Sequence, residues 1–373
     1  LLSGELSVAT GTCAGRKALL FSHASDLSGA PIALVRLARL LPDYGYRPLV
    51  LLPRPGPLEV VLKEREVRYR ILRKPLSTFD FVLILKREKP DIVHVNSLVK
   101  SWPVLAARLM QVPVVWHVHE YLGQKKLYAG IIHTVSDGVI LISNEQYSLF
   151  TGKPKAVRIP NGIDTVRCGT RAPVPVGDGM AGQDDKTVVL YIGSIEWRKG
   201  LLVLAKAAAL LKGKRIRYLV AGGVPDDAAR YMEEVSAYLK QHDLWDSFSF
   251  LGYRQDIPDI LSGSDIFCLP SYIDVFPLVV LEAMAGALPV IGTSVGDVPF
   301  MVEDAKTGFV VAPGDHEALS QRIGMLASDP GLRRRMGAEA RNRVKKLFDI
   351  RVHAADMSEF YDKVIREKES GRR

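Results

Sequence analysis

The chain has 373 residues, enough for two domains of roughly 150 each, and its 47% hydrophobic and 24% charged content is that of an ordinary globular protein. Its three cysteines, Cys13, Cys168 and Cys268, are too widely spaced for a disulfide framework or a CxxC metal site and fit a reducing compartment. The net charge of +9 is uneven: residues 1–160 hold 22 Lys+Arg against 12 Asp+Glu (+10), and the rest hold 28 against 29 (−1). A basic first half fits an anionic lipid surface or a phosphate-bearing acceptor, and equally a solvated basic face. No uninterrupted apolar run of about 18 residues marks a membrane span, and no signal peptide is evident.

Leu1–Arg16 carries little pattern and is expected to be partly disordered. Lys17–Ser22 reads as a buried strand, followed by a loop and a helix from about Pro31 with an apolar stripe from Ile32 to Leu41. Ser28-Gly29-Ala30 at that junction has the form of a phosphate loop, a weak signal alone. Strands at Arg47–Leu52, Tyr69–Leu72, Asp91–Asn96, Pro113–His119 and Gly138–Ser143 then alternate with helices at Leu58–Glu64, Phe79–Glu88, Val99–Met110 and Asn144–Phe150. Such alternation predicts a parallel sheet covered on both faces, with ligands at the carboxyl ends of its strands. Asn96, His117 and His119 stand at such ends. His117 and His119, two apart, share one face of their strand. A metal pair completed by Glu120 or His133 and a hydrogen-bonded pair at a cleft rim are both open readings.

KAVRIPNGID (Lys155–Asp164) closes the first domain, and the Gly-, Pro- and Asp-rich residues 166–186 read as a linker. Its literal GxGxxG, Gly177 to Gly182, is rejected as a dinucleotide site, because two prolines precede it and a strand follows, where the fingerprint needs strand before and helix after. Thr187–Ser194 opens the second domain as a buried strand. A helix from about Lys199 follows, headed by Arg198 and Lys199. Two cations at a helix N-terminus oppose its dipole, which makes sense where an anion sits between them. Strands at Tyr218–Gly223, Ser247–Leu251, Asp265–Pro270, Val290–Thr293 and Thr307–Val311 continue the alternation, with helices at Asp226–His242, Asp256–Leu261, His316–Ala327, Gly331–Leu347 and Phe348–Lys368.

Ser271–Val290, SYIDVFPLVVLEAMAGALPV, is the most informative stretch. Pro277 suits a first helical position, and the N–H groups of Leu278 and Val279 would then face an anion. Glu282 lies four residues past Leu278, on the same helical face and about 6 Å along the axis. A diphosphate at the tip and ribose hydroxyls on the acid would be gripped together. A buried helix running into a buried strand explains most of the same letters, but not a carboxylate at its centre. Asp274 supplies a second carboxylate eight residues earlier.

With Glu282-Ala283-Met284-Ala285 following Asp274, the stretch resembles the acid-x7-acid signature of retaining glycosyltransferases of family GT4, although Asp274 stands where Glu is usual. The resemblance runs from about Lys17 onward. It implies a GT-B fold: two Rossmann-like, doubly wound parallel-sheet α/β domains facing across a cleft, residues 17–165 on the acceptor side, 187–348 on the nucleotide-sugar side, and 349–373 crossing back as a helix to the first. It implies that Gly29, Arg198, Lys199 and the backbone of Phe276, Leu278 and Val279 approach the donor diphosphate. Glu282 would hold the ribose, Tyr253 the base, and Asp274 and His119 the sugar, with His117 in support. Ser194 stands where the family has a phosphate-binding arginine, and Arg198 is the nearest substitute.

The resulting expectation is a glycosyltransferase that moves a sugar from a nucleotide-sugar donor to a glycan, lipid-linked or small-molecule acceptor. It would need no cofactor and no metal, since there is no DxD pair and lysine and backbone can meet the leaving-group charge. The donor is a substrate, and no nucleic acid is expected as partner. Placement in the cytoplasm is expected, with peripheral contact to an anionic membrane as an option. A nucleotide-sugar epimerase of the same fold, a non-catalytic two-lobed nucleotide-binding protein and a dehydrogenase are the alternatives.

Overall fold

A computed structural model describes residues 15–72, 77–98, 101–123, 126–166 and 186–371. The expected disordered start and the linker with its GxGxxG therefore lie almost wholly outside the described residues. The chain divides into two compact units, residues 1–163 with 350–373, and residues 164–349.

Unit 1 holds one all-parallel sheet of β1 (Arg16–Ser22), β2 (Tyr46–Leu52), β3 (Tyr69–Ile71), β4 (Ile92–Asn96), β5 (Val114–Val118), β6 (Gly138–Leu141) and β7 (Ala156–Arg158), in the order β3-β2-β1-β4-β5-β6-β7. Its central strands read as mostly apolar runs, interrupted by His94, Asn96 and His117, because helices cover both faces. Between the strands lie α1 (Gly29–Leu40), α2 (Leu58–Glu64), α3 (Thr78–Glu88), α4 (Trp102–Leu109), α5 (Lys126–Val135) and α6 (Asn144–Ser148). α1 and α2 pack on one face around Leu20, Val50 and Val115. α3, α4 and α5 pack on the other around Phe21, Val95 and Trp116. The strand order reverses between β1 and β4, whose carboxyl ends are level, Ser22 beside Asn96. Ligands of such sheets bind where that reversal opens a crevice.

Unit 2 repeats the plan with six parallel strands: β8 (Thr187–Ile192), β9 (Ile216–Ala221), β10 (Phe248–Gly252), β11 (Ile266–Leu269), β12 (Val290–Thr293) and β13 (Gly308–Val311), ordered β10-β9-β8-β11-β12-β13. Its switch point lies between β8 and β11. Its helices are α7 (Leu201–Leu210), α8 (Ala229–Gln241), α9 (Ile257–Ser262), α10 (Leu278–Ala285), α11 (Val298–Met301), α12 (His316–Ser328) and α13 (Pro330–Leu347). The last helix, α14 (Ile350–Ser370), belongs to unit 1. It lies close on that sheet: a Cβ on Gly138 would come within 2.9 Å of Phe360 and Val364. Asp362 on α14 accepts from Arg16 and Tyr46, and His353 Nδ1 meets the Pro160 carbonyl at 2.7 Å.

Several helix starts differ from expectation, among them α4 at Trp102, α8 at Ala229 and α14 at Ile350, and three lie at the switch points. α1 begins at Gly29, two residues before Pro31, with Ser28 as its N-cap. α7 begins at Leu201, because Trp197–Lys199 form a 3-10 turn closed by Gly200. Pro277 caps α10 and is not its first residue. Short elements also went unread, namely α5, α11 and β7.

Candidate active site

The unit 2 switch point collects the most chemistry. The chain leaves β8 through Gly193, Ser194 and Glu196, turns through Trp197–Lys199, and enters α7 at Gly200. Gly200 has φ +73°, and a Cβ there would lie 1.9 Å from the Pro270 carbonyl oxygen. Only glycine permits both the left-handed turn and this approach of two backbones. The approach brings the residues after β11 against the turn. Tyr272 N donates to the Arg198 carbonyl at 2.8 Å, and the Trp197 and Tyr272 rings stack at 5.2 Å and 3°.

Lys199 Nζ is thereby placed 2.6 Å from Asp274 Oδ2, with side chains only 13% and 11% exposed. Ser271 Oγ donates to the same carboxylate oxygen at 3.2 Å, and its own carbonyl accepts from Thr293 Oγ1 at 2.6 Å. Arg198 is held by Glu196, at 2.9 Å from Nε and 2.7 Å from Nη2, and Ser194 Oγ donates to Glu196 at 2.7 Å. Both cations thus face a carboxylate. Asp274 leads through Phe276 and Pro277 into α10, whose first-turn N–H groups, Leu278 and Val279 included, have no carbonyl within the helix. Glu282 lies part-buried one turn along. The Phe276 ring is buried and meets Phe348 edge-on at 6.1 Å, so its backbone is what it can offer a ligand. Tyr253 is exposed just beyond β10, the edge strand two places from β8.

The unit 1 switch point is built from neutral groups. Asn96, the last residue of β4, donates through Nδ2 to the Ala30 carbonyl in the first turn of α1 at 3.0 Å, which fixes its amide. Its Oδ1 then faces His119 Nε2 at 2.8 Å as an acceptor, so His119 carries its proton on Nε2 and keeps Nδ1 as a lone-pair acceptor. Gly29 opens α1 one residue before Ala30. His117 lies beside His119, ring centres 4.1 Å apart, and meets His94 edge-on at 5.2 Å. His94 Nδ1 pairs with Tyr361 Oη of α14 at 2.6 Å.

Burial, then repulsion from neighbouring imidazoles (His119, His94 and His353 around His117; His94, His23 and His353 around His119), holds both well below the usual imidazole range. Desolvation lowers His94 to about 3 and His353 to about 4. Glu120 is engaged by Ser97, by Leu98 N at 2.8 Å and by His119 N at 3.2 Å, which leaves the hydrogen-bonded reading of the histidine pair the better fit. Among the described residues no group of three His, Cys, Asp or Glu side chains is placed to hold a metal ion.

Two family models match. Residues 27–167 fit "Glycosyltransferase Family 4" and residues 181–343 fit "Glycosyl transferases group 1", together most of the chain. The chain belongs to the GT4-type glycosyltransferases. Among its relatives, the alpha-D-kanosaminyltransferase of Streptomyces kanamyceticus is 31% identical over 163 residues, 43% of this chain and 41% of that one, so the match spans well under half of that relative. The UDP-Gal:alpha-D-GlcNAc-diphosphoundecaprenol alpha-1,3-galactosyltransferase of Escherichia coli is 26% identical over 307 residues, 75% of this chain and 77% of that one. The crystal structure of Anabaena Alr3699/HepE in complex with UDP superposes with a TM-score of 0.82 at 19% identity, covering 93% of this chain and 100% of that one, a likeness of fold.

The GT-B assignment, with two all-parallel Rossmann-like units, thus stands, and the relatives favour the transferase over the epimerase, binding-protein and dehydrogenase readings. Within this GT4-type chain, Ser194, Arg198, Lys199, Asp274, Phe276, Leu278, Val279 and Glu282 fall around one switch point, and Gly29, His117 and His119 around the other. Glu196, Ser271 and the stacked Trp197–Tyr272 pair went unread in the sequence, while Asn96 was placed at a strand end without its bond to His119. Glu196 alone had a visible signal, an acid two residues before Arg198.

Proposed function

We propose that the chain transfers a sugar from a nucleotide-sugar donor to a glycan, lipid-linked or small-molecule acceptor, with retention at the anomeric carbon. The observation that carries this is the Lys199–Asp274 pair at the β8/β11 switch point, directly before the tip of α10. As the acceptor hydroxyl oxygen bonds to the anomeric carbon, the anomeric C–O bond breaks, its electrons pass to the departing β-phosphate oxygen, and the hydroxyl proton leaves with that phosphate. Lys199, Arg198 and the N–H groups of Leu278 and Val279 meet that growing charge, which is where catalysis gains most. Glu282 takes the ribose hydroxyls, Tyr253 the base, and Asp274 the sugar hydroxyls. At the unit 1 switch point, taken by itself, His119 suits a hydroxyl as a neutral acceptor through Nδ1. Support for a uridine donor comes from the Escherichia coli relative, named for UDP-Gal, and from Alr3699/HepE, solved with UDP and with UDP-glucose. No cofactor or metal enters this scheme.

A melting-shift screen with UDP, GDP, ADP and dTDP tests it, since a ligand that binds only the folded state raises its stability. One nucleotide should raise the melting temperature of the wild type and lose most of that effect in Glu282→Gln. Donor consumption should then require an acceptor. A flat response to all four nucleotides counts against the donor site, and donor turnover without acceptor would favour an epimerase.

A further inference from the structure

The three helices on one face of the unit 1 sheet are apolar on both sides. Inward, Phe81, Ile84, Val104, Ala107, Ala129 and Ile132 fill the core. Outward, α3 exposes Phe79 and Leu83, α4 exposes Leu105 and Leu109, and α5 exposes Leu127, Tyr128 and Ile131, with Phe79, Leu109 and Leu127 at 69%, 72% and 76%. The spacing of four in 79/83, 105/109 and 127/131 puts one stripe on the outer surface of each helix. α3 packs on α4 and α4 on α5, so the stripes run side by side. Single exposed apolar residues are ordinary, but adjoining stripes mark an interaction surface.

The charges within this face decide among occupants. α4 and α5 contain no acidic residue. The exposed charges of α3 and α4 are Lys86, Arg87 and Arg108, with Arg87 also 3.9 Å from Glu88 and Arg108 4.0 Å from Asp137, while Asp80 is turned to the cap of α3, where it bonds Ser77, and Glu88 accepts from Arg70 at 2.8 Å. Apolar stripes rimmed by cations match the boundary between acyl chains and anionic headgroups. Among the described residues no helix is long and apolar enough to cross a membrane, so the contact is one of lying on the surface. We propose that the outer face of α3, α4 and α5 docks unit 1 onto an anionic lipid bilayer. The surface is independent of the donor-site reading.

Flotation with vesicles tests this. Wild-type protein should float with phosphatidylcholine vesicles containing about a third phosphatidylglycerol, and float about tenfold less with pure phosphatidylcholine or in high salt. Leu109→Glu with Leu127→Glu, and separately Arg87→Glu with Arg108→Glu, should each reduce flotation about tenfold while the melting temperature stays put. Wild type that stays behind with both vesicle types overturns the proposal, as do variants that float like wild type. So does a light-scattering result in which wild type is dimeric and the leucine variant monomeric, because the patch is then covered by a second copy.

Discussion

Replacing Lys199 or Asp274 should move nucleotide binding in opposite directions and stability in the same one. At 2.6 Å the pair attracts by about 6 kcal/mol if the effective dielectric constant is near 20. Desolvating the two ions costs several kcal/mol each, so the intact pair contributes little net stability. Removing one partner strands the other. With side chains 13% and 11% exposed, some water still reaches them, and each single variant should cost roughly 2–3 kcal/mol, below the full penalty for a completely buried pair. On ligand binding the partners part company. Lys199→Met removes a charge-assisted bond to diphosphate worth about 1.5–3 kcal/mol, so UDP should bind about 10- to 150-fold more weakly. Asp274→Asn releases the lysine and removes a competing anion, so UDP should bind about fivefold more tightly, a gain of ~1 kcal/mol. Sugar transfer should nevertheless fall in Asp274→Asn, because the carboxylate assigned to the sugar is gone. Calorimetric titration with UDP and urea unfolding read the two effects separately. UDP affinity that drops equally in both variants, or that stays within about twofold in Lys199→Met, would refute the partner-exchange reasoning.

Two further predictions concern stability. Gly200→Ala should destabilise by more than about 2 kcal/mol in urea melts, since it places a Cβ at φ +73° and 1.9 Å from the Pro270 carbonyl; a wild-type midpoint would mean that this approach is not tight. Acid should weaken unit 1. His94 and His353, lowered to about 3 and about 4 against 6.5 when unfolded, bind protons less readily in the folded state, so their contribution is fully present above about pH 6.5 and is lost as pH falls toward those values. Each adds a slope of up to about 1.4 kcal/mol per pH unit within its window, and the loss of stability between neutral pH and about pH 4.5 should shrink in His353→Gln; equal slopes in the two proteins would sink this account.

Much of the fold was legible because strands of a doubly covered parallel sheet have no polar face, and their apolar runs stand out between turn residues. α5 escaped because Gly130 and the β-branched Ile131, Ile132 and Val135 weaken its helical signature. β7 escaped because its three residues are only part-buried, as expected of an edge. Within the site, Lys199 was readable from its place just before a helix and Glu282 from its place on one. The ion pair was not, because Lys199 and Asp274 lie 75 residues apart and meet only where β8 neighbours β11. Tyr361, 267 residues beyond His94, was still harder to place. Spacing reports neighbours along one element, whereas these contacts depend on the order of strands in the sheet.

Taken separately, the two switch points carry different chemistry. His119 gives its only proton to Asn96, and burial keeps the ring neutral, so at neutral pH it offers a lone pair and no positive charge. It can accept from a sugar hydroxyl but cannot offset a departing diphosphate. Cations at the strand ends of unit 2 can, and Arg198 and Lys199 wait there already neutralised by Glu196 and Asp274. In the donor site proposed above, a diphosphate arriving at Lys199 would displace a carboxylate and would not meet a bare charge. Part of its binding energy would be spent on that exchange, leaving Asp274, beside the tip of α10, to accept from hydroxyls of the sugar. On this logic the aspartate matters most in the loaded state, which is why its loss should impair transfer even as nucleotide binding tightens.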